Sequence, residues 1–311
     1  MYELTDSLST NVSVSANLNN LTHLSYKNGN YLAVHDCTRV SVLNIGTDDN
    51  NWCKEIIVEQ IGDDNRTFIQ RIKLIRINDK TFLTAVTSQN VKTAQTIFGI
   101  STISKCSFGV ATQSKVYFFG KIHNNWKFLD VQQELRSNTR FSIYSFESDG
   151  KEKCAVAESN GTVTLWKYEE SSKCNFTFIK LIFIDIHPNT KSTGLLLYNN
   201  LVVLGTVSGQ IQLISIETGV LLCEIQAHVR CITAFDIAQD GLLVTTSEDS
   251  HIRLFRLNSS ENELLDVEHL TQITIEDEMI CGVKFLNSEG SQFATCSYES
   301  SLIKLFQLNQ Q

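Results

Sequence analysis

The sequence predicts an all-β chain built as a seven-bladed β-propeller, and three observations predict it. Apolar and polar residues alternate in short runs such as "GTVTLW", "GQIQLI" and "SHIRLF", the period of a half-buried strand, and no stretch of a dozen residues carries helical spacing. One unit recurs: an apolar run, a turn with Asn, Asp or Gly, a second apolar run ending in small residues, a tight turn, and a third run of period two. The recurrence comes at an interval of about 40 to 45 residues, which suits three- to four-stranded sheets stacked face to face around a channel. A β-sandwich of about 100 residues would not need one motif so often.

Taken in order, the first unit is "LTHLSYKNGNYLAVHDCTRVSVLN" and the second "IQRIKLIRINDKTFLTAVTS". The third is "TIFGISTISKCSFGVATQSKVYFFGK", the fourth "FSIYSFESDGKEKCAVAESNGTVTLWKY", and the fifth "GLLLYNNLVVLGTVSGQIQLISI". The sixth and seventh are "CITAFDIAQDGLLVTTSEDSHIRLFRL" and "ICGVKFLNSEGSQFATCSYESSLIKLFQL". Only about half a repeat separates "TFLTAV" from "CSFGVA". The second blade is therefore abbreviated, its outer two strands missing or replaced by an irregular "TSQNVKTA" connection. The seventh unit stops after three strands at "LIKLFQLNQQ", while "TNVSVSANL" precedes the first unit as an unattached alternating strand. Because closure removes an open sheet edge, residues 11–18 are expected to form the outermost strand of the last blade.

Composition excludes several classes. With a net charge of −8 and no Lys/Arg cluster, neither nucleic acid nor a membrane surface is an expected partner. The basic stretch "RIKLIR" alternates with apolar residues and reads as a strand with one solvated face. No run approaches the roughly 20 apolar residues of a membrane span, and the opening "MYELTDSLSTNVSVSANL" lacks the features of a signal peptide. A cytoplasmic chain is expected, with the nucleus as the other compartment. Nine scattered cysteines without a C-x-x-C pair argue against both a disulfide framework and a zinc site. No phosphate-loop, dinucleotide, zinc-protease or calcium-loop pattern occurs, and no cofactor is expected. "GTVSG" lacks the G-x-S-x-G spacing of a nucleophile elbow and reads as a hairpin turn. Glu268–His269 and the acidic run Glu276, Asp277 and Glu278 read as solvated positions, the latter with some capacity to face a partner.

The endings "NGTVTLWKY", "SGQIQLISIETGVLLCEIQAH" and "EDSHIRLFRL" resemble WD repeats, with "AH" at 227–228 where that family usually has Gly-His. Trp166, Phe255 and Phe306 fall where it usually has Trp. Only one repeat keeps Trp, and only one keeps both the His and the Asp. The resemblance implies one WD-repeat propeller domain over residues 1–311. It also implies that His228, Thr245 and Asp249 belong to the hydrogen-bonded network that clamps a WD blade, with Phe255 filling the fourth place without a donor. The same trio could be read as a hydroxyl, imidazole and carboxylate for nucleophilic catalysis. That reading also needs an oxyanion hole and an exposed nucleophile beside a pocket, and the sequence offers neither.

The expected function is thus a non-enzymatic scaffold that binds other proteins or peptides through loops held by a rigid ring. A monomeric propeller within a complex is expected. A structural subunit of a larger assembly and, further off, a propeller enzyme are the alternatives. The family pattern places the residue before the turn acid, and the residue opening the first strand, on the narrower face around the channel. By position these are Glu248 and Arg230 in the best unit, with Val207, Ser159 and Thr112 as counterparts of Glu248, and Asp36 as a looser one.

Overall fold

The computed structural model describes residues 1–26, 29–46, 52–57, 68–77, 80–88, 97–122, 125–129, 131, 135–136, 141–172, 175–185, 191–259 and 265–309. Among the described residues every regular element is a strand. The early strands are β1 (Tyr2–Ser9), β2 (Thr22–Tyr26), β3 (Gly29–His35), β4 (Arg39–Gly46), β5 (Trp52–Ile57), β6 (Phe68–Ile77) and β7 (Lys80–Ser88). Then come β8 (Ile97–Ser104), β9 (Ser107–Thr112), β10 (Val116–Ile122), β11 (Asn125–Leu129), β12 (Ile143–Ser148), β13 (Lys153–Glu158), β14 (Thr162–Ser172) and β15 (Asn175–Asp185). The chain continues with β16 (Ser192–Tyr198), β17 (Leu201–Thr206), β18 (Gln210–Ser215), β19 (Leu221–Gln226), β20 (Ile232–Ile237), β21 (Leu242–Ser247), β22 (His251–Ser259) and β23 (Leu265–Thr274). The last three are β24 (Ile280–Phe285), β25 (Gln292–Ser297) and β26 (Leu302–Leu308).

These strands form six four-stranded antiparallel sheets and one two-stranded sheet. Five sheets are meanders of consecutive strands, β2–β5, β8–β11, β12–β15, β16–β19 and β20–β23, whereas the last has the order β1-β26-β25-β24. The second unit of the sequence is the two-stranded β6–β7. Most of its "TSQNVKTA" connection, from residue 89 on, lies outside the described residues. A register shift recurs near the start of the innermost strand in five sheets, between Ile97/Gly99, Ile143/Ser145, Ser192/Gly194, Ile232/Ala234 and Ile280/Gly282. Such a bulge bends a strand and increases its twist, so its repetition gives the sheets a common shape.

The fourth strand of the last sheet comes from the N-terminal region, but it is residues 2–9 and not 11–18. β1 pairs with β26 from Tyr2↔Leu308 to Ser9↔Leu302. In the 11–18 segment Val12 and Val14 are buried, and the Val14 amide and carbonyl bond to Ser300 (3.0 Å) and Glu299 (2.9 Å). The Ser15 amide donates to the His35 carbonyl at 3.1 Å. The alternation of "NVSVS" therefore reflects burial between two turns, not membership of a sheet. β1 itself is nearly all exposed, as an outermost strand can be, and so carries little apolar signal.

The chain divides into two compact units. One contains residues 1–74, 85–92 and 226–311, hence the sheets β2–β5, β20–β23 and the last sheet. Its core includes Phe293, stacked on Phe306 with centroids 4.9 Å apart and tilted against Tyr2 at 5.2 Å. At Gly282 a Cβ would lie 2.6 Å from Leu21 Cβ and 2.8 Å from the Leu21 amide nitrogen, so only glycine lets the entering chain approach β24 this closely. The other unit contains residues 75–84 and 93–225. Its core is aromatic: Phe118 stacks on Phe178 at 4.7 Å, and Phe146, Tyr168 and Phe176 complete the group.

Candidate functional site

Register and turn chemistry assemble the sequence-selected trio. In the hairpin β21–β22 Thr245 faces Arg253 and Leu243 faces Phe255. The turn between them places Ser250 at φ +63°, and Asp249 steadies it by accepting the His251 amide at 3.1 Å. His228 stands in the loop between β19 and β20, where its ring reaches back across the hairpin. Its Nδ1 lies 3.0 and 3.1 Å from the two Asp249 carboxylate oxygens, and its Nε2 lies 2.9 Å from Thr245 Oγ1. The Val229 amide donates to Asp249 Oδ2 at 3.2 Å, which fastens the loop itself.

Arg253, which the sequence reading passed over, is the further member. Its Nη1 donates to the Ala227 carbonyl at 2.6 Å and to Asp249 Oδ2 at 3.3 Å, and lies 2.9 Å from His228 Nδ1. The available signal was its place directly opposite Thr245 in the hairpin. Phe255 is buried and packs on the His269 ring at 5.2 Å, leaving Glu268 exposed beside it on β23. Glu278 of the acidic run pairs with Lys304.

The electrostatics follow from burial. Desolvation pushes the His228 pKa down to about 4 despite the neighbouring Asp249, so the ring is neutral at pH 7. The carboxylate assigns the ring proton to Nδ1, which leaves Nε2 to accept from the Thr245 hydroxyl. For Asp249, burial works against the charged form, but the His228 ring and the amides of Val229 and His251 outweigh it and hold the carboxyl below its ordinary value. Hydroxyl on Nε2 and carboxylate on Nδ1 is the connectivity of a hydrolase triad. Here, however, Thr245 is 0% exposed in mid-strand, and no substrate carbonyl can reach its oxygen. Among the described residues no group of three or more His, Cys, Asp and Glu could hold a metal ion.

Two of the surface candidates lie beside this network. Arg230 is exposed and has no ion pair among the described residues, next to Val229, which is 82% exposed. Glu248 is half-buried, its amide bonded to the Cys231 carbonyl at 3.2 Å. Asp36 spends its carboxylate within its own turn, accepting the Thr38 and Arg39 amides at 2.6 Å each and pairing with the Arg39 guanidinium at 2.8 Å. In the other unit Val207 is exposed, and Ser159 accepts the Ser142 amide on its hydroxyl at 3.0 Å. Thr112 is buried, with its hydroxyl donating to the Lys115 carbonyl at 2.9 Å, and so offers no surface.

A family model described as WDR54 matches residues 145–308, more than half of the chain. The chain belongs to the WDR54 family. WD repeat-containing protein 54 of Mus musculus is 31% identical over 162 residues, covering 51% of this chain and 46% of that protein. The Homo sapiens protein of the same name is 32% identical over 112 residues, covering 35% of this chain and 34% of that protein. WD repeat domain 54 of Rattus norvegicus is 30% identical over 160 residues. The chain thus spans about half or less of the length of the curated relatives it matches. Among solved structures, the WD40 beta propeller domain of Doa1 matches with a TM-score of 0.62 at 15% identity, covering 99% of this chain and 98% of that one. A chain of the mitotic checkpoint complex matches with a TM-score of 0.71 at 15% identity, covering 99% and 92%. These likenesses establish the fold, an all-β propeller, which the WDR54 family membership shares. Among the described residues no helix is long and apolar enough to cross a membrane.

Proposed function

We propose that this WDR54-family chain is a non-catalytic scaffold, a single propeller domain that binds protein or peptide partners through loops at one end of its sheets. The observation that carries this reading is the fastened loop at Val229–Arg230. Asp249, Arg253 and His228 fix its backbone, and the fixed backbone holds out an exposed apolar side chain and an unpaired cation. Binding to a surface already ordered costs less entropy than ordering one on contact, and arginine is a frequent anchor at interface centres. Glu248 stands on the neighbouring turn with the opposite charge. The mixed chemistry suits a protein partner better than a polyanion, in keeping with the net charge of −8. The hydrogen-bonded trio is, on this reading, a structural clamp, and the partner-bound chain is one propeller per complex in the cytoplasm or nucleus.

The test is a double charge reversal, Arg230→Glu with Glu248→Arg, in the tagged chain purified from cells. Loss of co-purifying partners with an unchanged melting temperature is expected. If every partner stays while the fold is intact, recognition uses another surface.

A further inference from the structure

The hairpin β10–β11 is built unlike a solvated edge. Residues opposite one another in a ladder share a face of the sheet, so the registers Phe108↔Phe119, Phe119↔Phe128 and Lys121↔Trp126 put these side chains, with Tyr117, on one side. The other side of β10 carries Val116, Phe118 and Gly120, all buried. On the half-exposed side of an outer hairpin, polar residues are the ordinary outcome. Here the residues are aromatic: Trp126 is 41% exposed and Phe128 57%. Both belong to a continuous series of ring contacts, Phe82–Trp126 at 5.5 Å, Trp126–Phe108 at 5.3 Å, Phe108–Phe119 at 5.4 Å, Phe119–Phe128 at 6.0 Å and Phe128–Tyr117 at 5.9 Å. Rings held by one another lose little freedom when a partner covers them, which lowers the entropy cost of binding.

The charge on these two strands has one sign, for Lys121 and Lys127 are their only ionic side chains. Lys121 stands opposite Trp126, with its ammonium 4.8 Å from the centre of the Phe82 ring. Lys127 lies between Trp126 and Phe128, is exposed, and has no ion pair among the described residues. β11 is the outermost strand of its sheet. An extended segment laid beside it sends its side chains alternately to the two faces, one set onto the rings and the other beside Lys127. The complement is a strand in which apolar or aromatic residues alternate with acids. Nucleic acid fits less well, because two lysines neutralise only about two phosphates and the net charge of the chain is −8.

We propose that β11 is a docking edge for an extended partner segment of alternating apolar and acidic residues, which joins the β8–β11 sheet as a further strand. The apolar side chains of the segment lie on Trp126 and Phe128, and its acids lie beside Lys127, with Lys121 at the end of the aromatic row. Every residue invoked belongs to the unit of residues 75–84 and 93–225, whereas Arg230 and Glu248 belong to the other, so this inference does not rest on the loop reading above.

The experiment is fluorescence anisotropy of a labelled peptide, acetyl-Gly-Glu-Phe-Glu-Trp-Glu-Gly, titrated with the purified full chain. The comparators are the same peptide with lysine for each glutamate, a block peptide of the same composition with Glu-Glu-Glu-Phe-Trp between the glycines, and oligouridylate. Saturable binding of the alternating acidic peptide, weaker for all three comparators, is the expected result. Lys127→Glu should weaken the acidic peptide about tenfold and strengthen the lysine peptide, a reversal that mere loss of structure cannot produce. Trp126→Ala should weaken both by about tenfold or more, with the melting temperature kept as the check on folding. The Arg230→Glu, Glu248→Arg variant should bind the peptide as the unaltered chain does. No saturable binding of the acidic peptide, equal or tighter binding of any comparator, binding unaltered by both folded variants, or binding lost in the loop variant would overturn the proposal.

Discussion

In the β20–β23 sheet the space behind the hairpin is filled by a hydroxyl, a neutral imidazole, a carboxylate and a guanidinium linked in that order by hydrogen bonds. In the β12–β15 sheet the same register positions carry Val156, Asn160, Thr164 and Trp166, and Val156 and Trp166 pack in one core cluster with the rings of Phe118, Tyr168, Phe176 and Phe178. Polar fastening fixes a loop in one place and makes its position depend on protonation. Aromatic packing is indifferent to pH and resists through area and shape.

The comparison can be broken first on its aromatic side. Phe178 is buried against Phe118, Tyr168 and Phe176, and Phe178→Ala should cost about 3–5 kcal/mol in a denaturant titration. A loss below about 1 kcal/mol, far under the usual range, would mean that something other than ring packing replaces the clamp. On the polar side, Asp249→Ala and Thr245→Val should each cost about 1–3 kcal/mol by leaving buried partners unsatisfied. The double variant should cost less than the sum, since the second change removes a partner already stranded. Strict additivity would show that the trio is adjacent but not coupled.

The smallest and most diagnostic difference is in pH. His228 and His35 are both pushed by burial down to about 4, and His23 is lowered as well. The unfolded chain then takes up protons that the folded chain refuses, so stability is full above about pH 6.5 and falls as the pH drops from there toward 4. For His228 alone the loss reaches on the order of 3 kcal/mol. His228→Gln should flatten the fall between pH 6.5 and 4 in thermal melts, whereas Phe178→Ala should shift the curve without changing its slope. An unchanged slope in His228→Gln would remove the histidine from the pH account.

Much of this was legible in the sequence because period-two patterning survives wherever a strand has a buried face. The four strands of the sixth unit and the abbreviation of the second are visible in spacing alone. β1 was not, because an outermost strand with exposed residues at six of its eight positions has no apolar period to detect. Val12 and Val14 drew attention instead, since burial by turns imitates burial in a sheet. Within the site the trio could be read from spacing, but Arg253 could be placed only through the hairpin register.

The pairing of β1 with β26 also sets a timetable. Tyr2 finds its partner in Leu308, so the last sheet cannot be completed until the roughly three hundred residues between β1 and β26 have been made. At about 5–20 residues per second, those residues take on the order of 15–60 s to synthesise, and for that time β1 is without β26, its partner in the finished sheet. Glu3 and Asp6 put charge on a segment that is otherwise free to pair with any edge it meets. The polarity that hides β1 from a hydrophobic pattern is thus the property that lets it wait.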